Sequence, residues 1–241
     1  MSDIFELNKQ RIDNRIEKGL AMLKQHYTLK ERAVPKEFQI LKIQHLLFEI
    51  QQFEIEQVGN LLIMKCKETP QLQMDTFTLM PYFKNLPLFT TDYMYTGQKR
   101  SYLNEIYSLV DYQDDFYLSY IEKFRQNKEK HASLPDMPVK PCWYDEIRPV
   151  CTAKTTTPDA DEENLEIFLE NLNVFIEMEQ NTPVFADEEA YQKKWLQNKA
   201  YADRLVDDGG VSTDVFKQVL GTEKTKAFFS QIFFAPDLYK K

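Results

Sequence analysis

The sequence contains few of the residue types on which metal centres and nucleotide-binding loops depend. Its 241 residues include only six glycines, three histidines and three cysteines. Neither G-x-G-x-x-G nor G-x-x-x-x-G-K occurs, so the common loops that bind nucleotide phosphates are excluded. The motifs C-x-x-C, H-E-x-x-H and G-x-S-x-G are absent as well, which argues against a zinc site and against a serine hydrolase. We therefore expect no bound metal.

Long apolar runs and an excess of positive charge are also missing. No run approaches the roughly 20 apolar residues that span a bilayer, and the first ten residues, MSDIFELNKQ, lack the features of a secretory signal. Thirty basic and thirty-eight acidic residues give a net charge of −8, which argues against a nucleic-acid partner. Cys66, Cys142 and Cys151 are odd in number and widely spaced, so a reducing compartment fits. We expect a cytoplasmic protein with no membrane span, or a stromal one if a transit segment has been removed.

Aromatic residues are abundant, with thirteen Tyr and seventeen Phe, and a well-filled core is the simplest explanation for them. The apolar spacing predicts an N-terminal amphipathic helix over 3–27. Period-two alternation then predicts short strands between about 48 and 110, with hairpin-length links. The predicted strands are 48–55 with a bulge at Gln51-Gln52, 62–66 after a Gly59-Asn60 hairpin, 73–81, 88–96 and 101–110.

The second half is predicted to be mainly helical, over 112–236. Thr157-Pro158, followed by acidic residues, has the features of a helix start, and a 3.6-residue apolar stripe follows it from Leu165 to Ile176. The other predicted elements are helices at 112–130, 186–206, 213–220 and 223–234 and a short strand at 147–152. Strands first and helices on both flanks predict a single α+β domain, 1–241, with a central antiparallel sheet.

One predicted strand carries a candidate acid. In Leu88–Thr96, Asp92 shares a face with Leu88, Thr90 and Met94, while aromatic residues occupy the other face. A strand that is apolar on both faces is covered on both sides, so Asp92 is expected among apolar neighbours. Removal from water raises the pKa of a carboxyl group and makes it a plausible general acid. The alternatives are an Asp paired with a Lys or exposed at a strand end.

Two further polar residues lie in phase with apolar ones. Asp75 shares a strand face with Phe77 and Leu79 and is the second candidate acid. Asn198 belongs to the apolar stripe of the 186–206 helix. A buried Asn needs hydrogen-bond partners, so it either bonds the backbone within the core or points into a cavity.

The segment Met80-Pro81-Tyr82-Phe83-Lys84-Asn85-Leu86-Pro87-Leu88-Phe89-Thr90-Thr91-Asp92 resembles the central motif of the ferredoxin-dependent bilin reductases. In that motif a strand ending in Phe-Pro leads through a short loop to Leu-Pro-x-Phe/Leu-Gly-x-Asp, and Thr90 stands where the family usually has Gly. Further segments resemble the family in the same order along residues 48–236. They are the strand with Ser101 and Glu105, Pro141-x-Trp143, Asp159–Asn164 with the Phe168–Phe175 stripe, Tyr191…Gln197-Asn198-Lys199, Leu220-Gly221, and Phe228…Phe233-Phe234.

The resemblance implies a three-layer α/β/α sandwich that binds biliverdin between the sheet and the C-terminal helices. It implies a protein without bound metal or flavin, which reduces the bilin by single electrons from reduced ferredoxin. We expect a monomer, because no long exposed heptad argues for a coiled-coil dimer. Asp92 falls on the catalytic aspartate of the family. The remaining expected substrate-binding residues are Asn198, Ser101, Lys140, Arg148, Lys199 and Trp143, with Lys140 or Arg148 holding a propionate.

The chain also departs from the family. Members that make phycocyanobilin carry a Glu and a His on the two strands before the aspartate, whereas the stretches around Met64–Lys65 and Asp75–Thr76 offer neither. Asp75 is the candidate replacement for the histidine. Because ferredoxins are acidic, a local basic face is needed for docking. The candidates for it are Lys123, Arg125, Lys128, Lys130, Lys193, Lys194 and Lys199.

Two other functions stay open from the sequence. The first is reduction of a different tetrapyrrole, such as a chlorophyll breakdown product. The second is a non-catalytic bilin-binding module, which the absent Glu and His favour and the retained Asp92 opposes.

Overall fold

An eight-stranded antiparallel sheet forms the middle of the computed structural model, which describes residues 2–210 and 213–241. Its strands run in the order β1-β3-β4-β5-β6-β7-β8. The remaining strand, β2, pairs with residues 46–49 of β3, while β1 pairs with residues 52–55 of the same strand. The strands are β1 (Leu29–Arg32), β2 (Ile40–Ile43), β3 (Leu46–Ile55), β4 (Gly59–Cys66), β5 (Gln73–Pro81), β6 (Leu88–Thr96), β7 (Lys99–Tyr107) and β8 (Val150–Thr156).

Helices cover both faces of this sheet. The first face packs against α1 (Ser2–Lys24), α3 (Asp115–Lys130) and α4 (Asp161–Gln180). The second packs against α2 (Lys36–Gln39), α5 (Glu188–Asp207), α6 (Thr213–Leu220), α7 (Thr222–Phe228) and the π-helix Phe229–Phe233. Within the described ranges, no helix combines the length and the apolar composition needed to cross a bilayer. Met1, Val211 and Ser212, which fall in the predicted domain and helical region, lie outside the described residues.

Side-chain alternation along the strands builds two separate cores. Phe77 and Leu79 of β5 and Phe89 of β6 pack on the first face, where Phe168 and Phe175 of α4 meet them. Leu62 and Met64 of β4 and Leu88 of β6 belong to the second core, with Trp195 and Tyr201 of α5. Successive residues of a strand point to opposite faces, so one sheet fills both cores. The predicted α+β fold, with helices on both sides of an antiparallel sheet, is confirmed.

Most predicted elements are present, with shifted ends. The strands 73–81 and 88–96 and the helix 213–220 coincide with β5, β6 and α6. The predicted strand at 147–152 lies later, as β8, because Trp143–Ile147 forms a 3-10 helix. The predicted helix 223–234 changes at Phe228 into the π-helix Phe229–Phe233. The sequence analysis missed β1 and β2, which are four residues each, too short for a clear alternation.

Two local predictions in the first hairpin are wrong. The pairing of β3 with β4 is continuous through Gln51 and Gln52, so no bulge exists there. The sequence pattern changes at this point because Phe48, Ile50 and Gln52 face the second core while Phe53 and Ile55 face the first.

The hairpin turn lies before Gly59-Asn60. Residues 56–58 make it, with Gln57 at a φ of 59°. Gly59 is needed for close packing, because a Cβ at this residue would lie 2.1 Å from the carbonyl oxygen of Met80.

Candidate functional site

A cavity of about 560 Å³ lies between the second face of the sheet and the C-terminal helices. Its volume falls within the range of about 300–1,000 Å³ that is typical of small-molecule sites. β4 to β7 supply one wall, and the loop 137–140, α5, α6 and the C-terminal segment supply the others. Aromatic rings make much of its surface: Phe48, Tyr107, Tyr144, Tyr201, Phe216, Phe229, Phe233 and Phe234.

Two side-chain amides of the sheet hold the C-terminal wall in place. The π-helix Phe229–Phe233 leaves carbonyl groups that ordinary helical bonds do not satisfy. Gln52 Nε2 donates to the carbonyl oxygens of Gln231 and Ile232, both at 3.1 Å. Asn60 Nδ2 donates to those of Ile232 (3.1 Å) and Phe233 (3.0 Å). These bonds fix Phe229 and Phe233 against the cavity.

Asp92 lies in the sheet wall of this cavity, partly exposed to it. Its cross-strand neighbour is Thr76 of β5, whose hydroxyl donates to Asp92 Oδ1 at 2.5 Å. Burial raises the pKa of Asp92 above its ordinary value, while the hydrogen bond from Thr76 and the charge of Arg15 act in the opposite direction. A carboxyl group in this state can hold a proton closer to neutral pH than an ordinary aspartate does.

A second carboxylate, Glu105 of β7, lies in the same wall. It pairs across the sheet with Thr90, two residues before Asp92 on β6. Arg148 donates to Glu105, and both side chains are nearly buried, with exposed fractions of 8% for Arg148 and 10% for Glu105. Burial raises the pKa of Glu105, the Asp92 charge adds to this effect, and Arg148 opposes it. The cavity therefore contains two carboxyl groups with different partners.

Three of the residues expected from the sequence meet at the cavity. Asp92, Lys140 and Arg148 all line it. Trp143 lies behind the wall: its Nε1 donates to the carbonyl oxygen of Gly209 at 2.8 Å, and its ring packs on Tyr144, which does line the cavity.

Asp75 is on the other face of the sheet. It is fully buried in the first core, where it forms an ion pair with Arg15 of α1. Neighbouring residues of a strand point to opposite faces, so Thr76 instead of Asp75 faces Asp92 and the cavity. Asp75 was the candidate replacement for the histidine of the family, but the residue that the structure places beside Asp92 in the cavity wall is Thr76.

Ser101, Asn198 and Lys199 are not among the described residues that line the cavity. Ser101 pairs with Met94 near the start of β7, whereas Tyr107 lies at the end of that strand. Asn198 is fully buried, and its Nδ2 donates to the carbonyl oxygen of Pro81 at 2.7 Å, which is the backbone bond that the sequence left as one alternative. Lys199 forms an ion pair with Asp203 on α5.

The sequence analysis did not include Glu105 and Thr76 as site residues. A signal for Glu105 existed, because Gly97 marks the β6–β7 hairpin and pairing outward from it places Glu105 beside Thr90. No equivalent signal marked Thr76, since the β5–β6 link is longer and leaves the register open.

The described residues include one group of metal-ligand type, on the far side of the sheet. His131, Glu166 and Glu170 bring their ligand atoms together between α3 and α4. His131 already pairs with Glu163 and Glu170 at 3.0 and 3.1 Å, and Lys130 donates to Glu166 and Glu170. Because Lys130 and His131 already bind these carboxylates, the cluster is explained as a contact between two helices.

The fold is shared with a protein of known structure. The crystal structure of phytochromobilin synthase from tomato, in complex with biliverdin, matches with a TM-score of 0.78 and 13% sequence identity. The match covers 95% of this chain and 85% of the tomato chain. No protein-family model matches the sequence, and neither does any curated protein. At this level of identity, the likeness shows that the two chains have the same fold.

Proposed function

We propose that the protein reduces a linear tetrapyrrole, biliverdin or a related bilin, with single electrons from ferredoxin. One observation supports this most directly: an aromatic cavity of about 560 Å³ carries in its sheet wall a half-buried aspartate, Asp92, whose pKa is raised by desolvation. A bilin is a long, flat and largely apolar ligand with two propionates. Aromatic walls, one protonatable carboxyl group and a cation at the rim match that chemistry. The tomato enzyme with the same fold was crystallised with biliverdin.

In this proposal Asp92 is the proton donor. An electron added to the bilin raises the basicity of the pigment, and the carboxyl group of Asp92 then transfers a proton to it. Thr76 donates to Asp92 Oδ1, so the second carboxyl oxygen is free of that hydrogen bond and can carry the proton. Each electron is matched by one proton, and Asp92 regains its proton from solvent between steps.

Ferredoxin as donor is supported only by the resemblance in sequence, and the basic residues offered for docking are mostly paired. Lys194 is 1% exposed and cannot contact a partner. Lys123, Lys130, Lys193 and Lys199 each form ion pairs with acidic residues. Docking of an acidic protein would therefore have to compete with these pairs.

The decisive experiment is an anaerobic absorption measurement. The purified protein is mixed with biliverdin, and spectra are recorded before and after reduced ferredoxin is added. We expect a shifted spectrum on binding, then loss of the biliverdin bands as a more reduced bilin forms. A protein that fails to bind biliverdin would disprove the proposal.

The same experiment distinguishes the alternatives. A bound spectrum that reduced ferredoxin leaves unchanged would indicate a binding module without catalysis. Reduction of a chlorophyll breakdown product, tested in parallel under the same conditions and without activity on biliverdin, would indicate the other tetrapyrrole. The variant Asp92→Asn is the control for catalysis: it should bind the pigment and fail to reduce it, so that reduction by the wild-type protein can be assigned to this carboxyl group.

A further inference from the structure

The arginine in the cavity wall is already neutralised. Arg148 Nη1 donates to Glu105, and its Nη2 donates to Asp145, which is 40% exposed. The guanidinium also lies over the ring of Tyr144, 5.4 Å from its centroid. One positive and two negative groups leave this buried part of the wall with a net negative charge when both carboxylates are ionised. An anionic group of a ligand would have to displace a carboxylate from Arg148 to bind there.

Lys140 differs from Arg148 in each of these respects. It is exposed, it lies in the loop that closes one side of the cavity, and it lines the cavity with Met137, Pro138 and Val139. Among the described residues, no carboxylate lies within ion-pair distance of its ammonium group. Lys140 and Arg148 are the basic residues of the described lining. Arg148 is already paired with two carboxylates, whereas Lys140 is available to pair with an anionic group of a ligand.

We propose that Glu105 is a specificity-determining residue of this cavity. By holding Arg148, it leaves Lys140 as the cation that receives an anionic group of the ligand. Its own carboxylate makes the buried part of the wall favourable for hydrogen-bond donors and unfavourable for anions. The site therefore takes an apolar ligand with its acidic group at the exposed rim and N–H groups at the Glu105 side. That this ligand is a tetrapyrrole, with a propionate at Lys140, rests on the proposed function.

Charge selectivity can be measured without a bilin. The probes are N-phenyl-1-naphthylamine, which is neutral, and 8-anilinonaphthalene-1-sulfonate, which has the same ring system and a sulfonate. Dissociation constants for both are obtained by fluorescence titration. Met94 lines the cavity, so Met94→Trp should narrow it and weaken the binding of any probe that occupies this site. If Met94→Trp leaves the dissociation constants of both probes unchanged, neither probe binds in the cavity and the proposal is overturned.

Two variants test the roles of the charges. Lys140→Met should weaken binding of the anionic probe by about tenfold and leave the neutral probe unchanged, since an ion pair with one exposed lysine is lost. Glu105→Gln should strengthen the anionic probe by about tenfold or more, because Arg148 becomes available. The matched control Glu177→Gln removes an equal charge from α4, on the other side of the sheet, and should change neither constant.

Either variant can overturn the proposal. An unchanged ratio of the two constants in Lys140→Met would show that another cation binds the anion. An unchanged ratio in Glu105→Gln would show that Glu105 does not restrict Arg148. If Glu105→Gln fails to fold, Lys140→Met, which changes an exposed loop residue, still tests the proposal, because anion binding that does not depend on Lys140 would overturn it.

Biliverdin and its dimethyl ester extend the test to tetrapyrroles. Lys140→Met should abolish the preference of the wild-type protein for the acid over the ester. If the probes behave as expected and neither bilin binds, the proposed function fails while the role of Glu105 stands.

Discussion

Replacement of Asp92 by Asn removes the proton that the proposed reaction needs and changes little else. The amide keeps the shape of the side chain, and its oxygen can still accept the 2.5 Å hydrogen bond from Thr76. The dissociation constant for biliverdin should therefore change by no more than about twofold. Turnover should fall by about 10²–10⁴-fold, the usual contribution of a positioned general acid.

The pH dependence follows from the raised pKa of Asp92. The proton-donating form is lost as pH rises through that pKa, so the wild-type rate should fall on the alkaline side. Asp92→Asn should lack this limb. Stability should show the matching effect: because the pKa is higher in the folded state, the folded protein binds more protons between the two values and loses stability as pH rises. Asp92→Asn should therefore gain stability relative to wild type as pH rises from about 4, the ordinary pKa of an aspartate, through the raised pKa of the folded state.

The assay is single-turnover bilin reduction followed by absorption under anaerobic conditions, with a parallel equilibrium titration of the pigment. Electron paramagnetic resonance would detect an unprotonated radical, which we expect to accumulate in Asp92→Asn. Asp203→Asn is the matched control, because Asp203 is 45% exposed on α5 and pairs with Lys199. A variant at Asp92 that turns over at the wild-type rate, with an unchanged alkaline limb, would refute the reasoning.

Three other predictions follow from buried polar contacts. Thr76→Val removes the hydrogen bond that favours the ionised form of Asp92, so the alkaline limb of the rate profile should move to higher pH; no movement would contradict the assigned contact. Asp75→Asn leaves Arg15 buried without its ion-pair partner and should lower the free energy of unfolding in urea by about 3–5 kcal/mol. Pigment binding by its folded fraction should be unaffected, and a binding defect would instead connect Asp75 to the cavity. Burial lowers the pKa of Lys194 to about 7, so above that pH the lysine binds its proton in the unfolded chain but not in the folded protein, and the contribution of Lys194 to stability rises with pH. Relative to Lys194→Met, the gain should approach about 1.4 kcal/mol per pH unit above neutrality, and parallel curves for the two proteins would rule it out.

The sequence determined the identity of most elements and the face on which Asp92 lies. Both are local properties: the stripe from Leu165 to Ile176 belongs to one helix, and alternation within β6 assigns Asp92 to the side of Leu88 and Met94. Successive residues of a strand alternate whatever the strand pairs with. The resemblance to a family added the fold, which the structure confirms, and the role of Asp92, which stays a prediction.

The composition of the cavity wall was decided only by tertiary structure. The register of β5 against β6 brings Thr76 to Asp92 and sends Asp75 to Arg15 on the other face. Sequence could not choose between the two, because β5 is buried on both sides and lacks the alternation that would have marked its faces. The same holds for Arg148, whose contact with Glu105 joins positions 43 residues apart. Such a contact depends on how the chain returns to the sheet, and no local pattern encodes that path.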